Sequence, residues 1–198
     1  MKRNYAEITP QIVEMTNKLK ENNYIDPKLY IEHKVNRGLR DLDGNGVLTG
    51  LTEISEVNAK KVVDGKTVPS AGELYYRGYN IKDLVSGFIS DDRYGFEEIV
   101  YLLLLGDLPN KQELESFNKI LADYRTLPNS FTRDVIMKAP SENMMNSLAR
   151  SVLTLYSYDK NAEDTSLENV MRQSLQLVAL FPLLSVYGYQ AYDYYHKK

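Results

Sequence analysis

Few residues in this chain are of the types that carry catalysis, and their spacing decides what each could do. The two histidines are His33 and His196. His33 sits between Glu32 and Lys34 on a charged helix, where a solvent-facing ring is expected, and His196 lies beside the C-terminus. Neither belongs to a metal-ligand spacing, and with no cysteine a zinc site is not expected. Asp41, Asp43, Asn45 and Gly46 imitate the opening of an EF-hand calcium loop. The twelfth position from Asp41, however, is Thr52 where that loop needs a bidentate glutamate, and Glu53 comes one residue late. A polar glycine turn is the expected reading.

Gly65-Lys66-Thr67 has the ending of a phosphate-binding loop, but Lys60 stands where its first glycine belongs, and the segment reads as a hairpin. Gly44, Gly46 and Gly50 do not fit a dinucleotide-binding spacing, and no serine sits in a nucleophile elbow. Asp91-Asp92 and Glu97-Glu98 are sequence neighbours and read as solvated surface. The residues alone therefore nominate no catalytic group and no metal ligand, and they leave any cofactor-binding residues unassigned.

Composition narrows the classes further. A chain of 198 residues is long enough for one sizeable domain. With 24 basic against 27 acidic residues the net charge is −3, which is no nucleic-acid footprint. The absence of cysteine fits a reducing cytosol. The first residues lack the apolar segment of a signal peptide. The longest apolar stretch, Val178 to Tyr189, is broken by Pro182 and Gly188 and is shorter than the ~20 residues of a spanning helix. A soluble, cytoplasmic protein with no membrane partner is the expectation.

Any functional groups must be positioned by elements that are mostly helical. Thr9-Pro10 opens a first helix whose apolar residues are Ile12, Val13, Met15 and Leu19, and Asp26-Pro27 opens a second that Gly38 is placed to end. Between residues 50 and 79, β-branched residues alternate with polar ones around Asp64-Gly65, a two-residue hairpin signal, so two to four short strands are expected. Asn80 caps a helix to about Val85; Phe96 to Leu105 is a buried helix stopped by Gly106. Asn110 and Glu113 form a capping-box-like start for a helix to about Thr126, and Pro128 to Lys138 holds one short helix. Ser141 starts a helix to about Tyr158. A polar loop over 159–165 follows, and Thr165 with Glu168 caps a last helix to about Tyr195.

That last helix is apolar on nearly every position from Leu175 to Tyr187, with Pro182 set to kink it. Either earlier helices surround it, or its cover comes from sequence beyond this chain or from a second subunit. The many tyrosines, 16 in all, read as packing edges with the hydroxyl outward, and those near the C-terminus could line an interface.

Five blocks, in order, resemble citrate synthases. They are RGLRDLDGNGVLTGLTEIS (37–55), ELYYRGYNIKDLV (73–85), GFEEIVYLLLLGDLPNKQELESF (95–117), RDVIMKAPSENMMNSLARSVLTLYSYD (133–159) and NVMRQSLQLVALFPLLSVYGYQAY (169–192). The first block is most like the forms of clostridial and gut bacteria. The resemblance implies a mainly α, multi-helical fold: an N-terminal helical segment at 1–36, then the N-terminal portion of the family's large domain at 37–198, with a small β excursion.

The family is an acyltransferase of the tricarboxylic acid cycle that condenses acetyl-CoA with oxaloacetate. It uses an aspartate base and histidines that stabilise the enol and polarise oxaloacetate. The histidine motifs LHADHE, GPLHGG and GHR have no counterpart here, so no catalytic residue is carried over, and the chain by itself is expected to be inactive, without a bound cofactor. Arg77 matches the family's Arg-Gly-Tyr turn and is read as a structural ion-pair residue. The resemblance further implies a homodimer through helices near 141–158 and 166–195. Two rivals remain: a 2-methylcitrate synthase, using propionyl-CoA, and a non-enzymatic helical module that binds a partner through Val178 to Tyr189.

Overall fold

The computed structural model describes residues 6–35, 38, 39, 47 and 49–196. The glycine-rich turn at Asp41, Asp43, Asn45 and Gly46 lies outside the described residues. Two compact units are present, Asn17–Leu114 forming one and Met1–Thr16 with Glu115–Lys198 the other. The division falls within α1 (Pro10–Asn22) and within α5 (Lys111–Tyr124).

In the unit of residues 17–114, α2 (Pro27–Glu32) starts at Asp26, whose carboxylate accepts from the Lys28 amide at 2.9 Å. It ends at His33 and not at Gly38, because the chain turns there with Lys34 at φ +49°. The β segment is a three-stranded antiparallel sheet in the order β1 (Ser55–Val63), β2 (Lys66–Tyr76), β3 (Tyr79–Asn80). Its first two strands run to 9 and 11 residues, longer than expected. Asp64 and Gly65, both at positive φ, make the tight turn between them; their left-handed backbone matches the twist of the flanking strands. The register slips between Asn58 and Lys60, where Ser70, Ala71 and Gly72 oppose the single Ala59.

Asn80 caps α3 (Ile81–Ser90), which extends a full turn beyond Val85. The apolar α4 (Phe96–Leu105) has the expected limits, and Gly106 stops it in the left-handed region at φ +93°. Tyr101, Leu102, Leu105 and Leu84 are buried in this unit. Asn110 caps α5 as its spacing predicts: its side-chain oxygen accepts from Gln112 and Glu113, while Glu113 accepts in return from the Asn110 amide at 2.8 Å.

The other unit is built on α6 (Met144–Tyr156) and α7 (Leu167–His196). In α1, Ile12, Met15 and Thr16 are buried, whereas Val13 points outward, one position off the inner stripe. The segment after Pro128 forms a wide π-helical turn, Thr132–Met137, rather than a short α-helix. Asn143, not Ser141, caps α6, by accepting from the Asn146 amide at 3.0 Å. Ser166, one residue later than Thr165, performs this role for α7: its hydroxyl accepts from the Asn169 amide and its carbonyl from Val170. The core gathers Phe131, Ile136, Leu180, Leu184 and Ala191. A Cβ on Gly188 would stand 3.0 Å from Met144, which is how closely the two long helices approach.

Candidate functional site

The most developed polar constellation lies at the start of α7, inside the second unit. Arg172 is wholly buried, at 0% exposure, on the face it shares with Asn169 and Gln176. Its Nη2 donates to Asp159 Oδ2 and to Asn169 Oδ1, both at 2.6 Å, and its Nη1 donates to Gln176 Oε1 at 2.9 Å. Asn169 in turn donates to the carbonyls of Asn161 and Asp164. Gln173 donates to Asp159 and to the Ala162 carbonyl, and the Asn161 amide donates to Asp159 Oδ1 at 3.0 Å. The polar loop is thereby sewn to the first turns of α7. Burial by itself would raise the Asp159 carboxyl; the bonds from Arg172, Asn161 and Gln173 outweigh it and hold the group below its ordinary value. A charge pair this deep gives its geometry at the expense of desolvation, and it stays stable only while every partner is present.

Against this network lies a cavity of about 270 Å³. Val152 and Leu155 from α6 and Leu177 and Leu180 from α7 form its aliphatic walls, tyrosines 124, 156 and 158 its rim, and Asp159, Gln173 and Gln176 one polar end. The Tyr156 hydroxyl donates to Glu163. The periodicity Asn169, Arg172, Gln176 within an apolar helix was the available sequence signal for this site. Its partner Asp159, on a loop, had none.

The residues weighed from sequence fall elsewhere. His33 is exposed just past α2; His196 is exposed and stacks on Tyr192 with ring centroids 4.6 Å apart. Among the described residues no group of three or more histidines and carboxylates could hold a metal ion. Gly65 lies in the hairpin turn and Lys66 and Thr67 begin β2, so no helix follows them to cradle a phosphate. Asp91 and Glu98 are more than solvated surface, because Arg93 bridges them at 3.0 and 2.6 Å.

Arg77 is structural, and among the described residues it is held by hydrogen bonds rather than by an ion pair. Its Nη2 donates to the Leu103 carbonyl at 2.9 Å and to the Asn23 side chain, while Glu53 and Asp107 act only through space. Asn22 donates to the Leu105 carbonyl and Gly106 to that of Leu102. The Arg-Gly-Tyr turn and the glycine after LLLL thus serve one purpose, supplying donors to the last carbonyls of α4. Lys18 likewise binds within this unit, donating to the Tyr101 hydroxyl and to Glu113, each at 2.9 Å.

Comparison with known proteins agrees with this architecture. The family described as "Citrate synthase, C-terminal domain" matches residues 38–197. A citrate synthase of Corynebacterium glutamicum is 32% identical over 155 residues, 78% of this chain and 32% of that protein. The 2-methylcitrate synthase 1 of the same organism is 27% identical over 153 residues, 77% of this chain and 35% of that protein. The crystal structure of citrate synthase from Pyrobaculum aerophilum superposes with a TM-score of 0.59 at 26% identity, over 78% of this chain and 38% of that one. The chain spans about a third of the length of the curated relatives it matches. With its mainly helical fold and a family match over residues 38–197, the chain belongs to the citrate synthase family.

Proposed function

We propose that this chain is part of an acyltransferase that condenses acetyl-CoA with oxaloacetate to give citrate and CoA, in the cytoplasm. The observation that carries the reading is the family match over residues 38–197. Of the two Corynebacterium glutamicum relatives compared above, the citrate synthase has the higher identity, at 32%; the 2-methylcitrate synthase 1, at 27%, supports propionyl-CoA as the second reading. Condensation needs a base for a weakly acidic methyl proton and donors aimed at the developing enolate. His33 and His196 are the only histidines in the sequence, and both are exposed. The reading therefore includes that these 198 residues do not turn over alone.

A thiol-release assay with acetyl-CoA and oxaloacetate checks this. The chain by itself should liberate no CoA above background; release that depends on oxaloacetate would mean that the catalytic groups lie within these residues.

The proposed partner is a second copy, packed through α6 and α7. Its support is the apolar surface those helices leave open: Met145 is 75% and Leu153 73% exposed on α6, and Phe181 and Val186 are exposed on α7.

A further inference from the structure

We propose that the cavity between α6 and α7 binds an uncharged, two-ring aromatic molecule that carries an N–H or O–H donor. This goes beyond the acyltransferase reading and does not depend on it.

The first argument is size. A cavity of about 150 Å³ lined by aliphatic side chains takes one benzene ring. The 270 Å³ here accommodates two fused rings. Four aliphatic side chains, Val152, Leu155, Leu177 and Leu180, make its walls apolar, and Tyr124, Tyr156 and Tyr158 line it as well, which favours an aromatic face over a polar one.

The second argument is the character of the polar end. Arg172 is fully buried and already donates to Asp159, Asn169 and Gln176, so it offers nothing to a ligand. Both hydrogens of the Gln173 amide are used, on Asp159 and on the Ala162 carbonyl. Two groups face the cavity at this end: the Gln176 side chain, whose oxygen accepts from Arg172, and the Asp159 carboxylate, which only accepts and keeps 12% of its side chain exposed beyond its bonds from Arg172, Gln173 and the Asn161 amide. A ligand sealing this end without a donor would strip water from that oxygen and replace nothing, a penalty that selects against purely hydrocarbon occupants.

The third argument is charge. Asp159 is balanced by Arg172 at 2.6 Å, so a cationic ligand would add an unpaired positive charge. An anion would meet the carboxylate with no free cation beside it. Neutral donors remain.

Indole is the test probe, since it fits all three criteria. Benzothiophene has the same shape without the N–H, and indole-3-carboxylate adds a charge. The chain lacks tryptophan, which leaves indole fluorescence free of background from the protein's own indoles. The full chain, labelled at leucine and valine methyls, is titrated and followed by NMR. Expected are saturable shifts at Val152, Leu155, Leu177 and Leu180 that are independent of protein concentration. Indole should bind at least 5-fold tighter than either analogue. Leu177→Trp, which fills the space, should abolish the shifts while the circular dichroism stays native; Val152→Phe serves if that variant does not fold. Three results each overturn the proposal. One is a folded protein with no saturable shift, another is benzothiophene binding as well as indole. The third is indole binding that disappears as the protein dimerises, because the cavity would then be a seat for the second copy.

Discussion

Arg172 carries its charge where no solvent reaches, and Asp159 is what makes that tolerable. Asp159→Asn keeps the shape and removes the countercharge. Breaking one side of a buried pair costs about 3–5 kcal/mol, so urea unfolding of this variant should show a loss of about 3 kcal/mol or more. The pH dependence follows from the same pair. Because the folded Asp159 carboxyl sits below its ordinary value, its contribution is fully present above the unfolded value of about 3.9 and fades as pH falls through the folded one. The native chain should lose stability in that acid window, and the asparagine variant should lack this component. At this scale the sequence was half legible. Asn169, Arg172 and Gln176 share a helix face by spacing alone, whereas Asp159 meets them only because the 159–165 loop folds back, which no local pattern encodes.

Elements were most legible where a cap or turn has a chemical signature. Asn80, Asn110, the Asp64-Gly65 turn and Gly106 each do in the structure what their residue type dictates. Boundaries drifted where two candidates stand side by side, as with Ser141 against Asn143 and Thr165 against Ser166, because the choice depends on how the preceding loop approaches. The π-helical turn at Thr132–Met137 was not legible, since side-chain periodicity over six residues cannot tell it from an α-turn. Gly106 offers the sharpest test at this scale. An added Cβ would come within 2.7 Å of Asn22, on a backbone at φ +93°. Gly106→Ala should therefore lower stability by about 1–3 kcal/mol, seen as an earlier thermal transition, with the Asn22 bond to Leu105 disturbed.

For the molecule as a whole, α7 is the element that invites most interpretation. Its 30 residues are by length and composition enough to cross a membrane. It also buries Asn169, Arg172 and an inward row through Leu175, Ala179, Leu180 and Leu184, the last two in the core of its own unit, the pattern of a core helix. Of the alternatives left open by the sequence, cover from within the chain holds for one face, while another, with Phe181 and Val186, stays open to sequence beyond this chain or to a second subunit. Size exclusion with light scattering should give a dimer at micromolar concentration, and Leu153→Glu combined with Phe181→Glu should give a monomer. A native chain that elutes as a monomer would remove the proposed partner.

The hairpin suggests a practical use. Around Gly65 there is open space, with no atom within 4 Å of where a side chain would begin, and the residues on either side of the turn are exposed. Lengthening a flexible loop costs only about 0.6 kcal/mol per doubling, so an epitope of about six residues grafted between Asp64 and Gly65, roughly two doublings, should lower the melting temperature by only a few degrees. That makes the tip a handle for tethering or labelling the protein while the helices go about their own business.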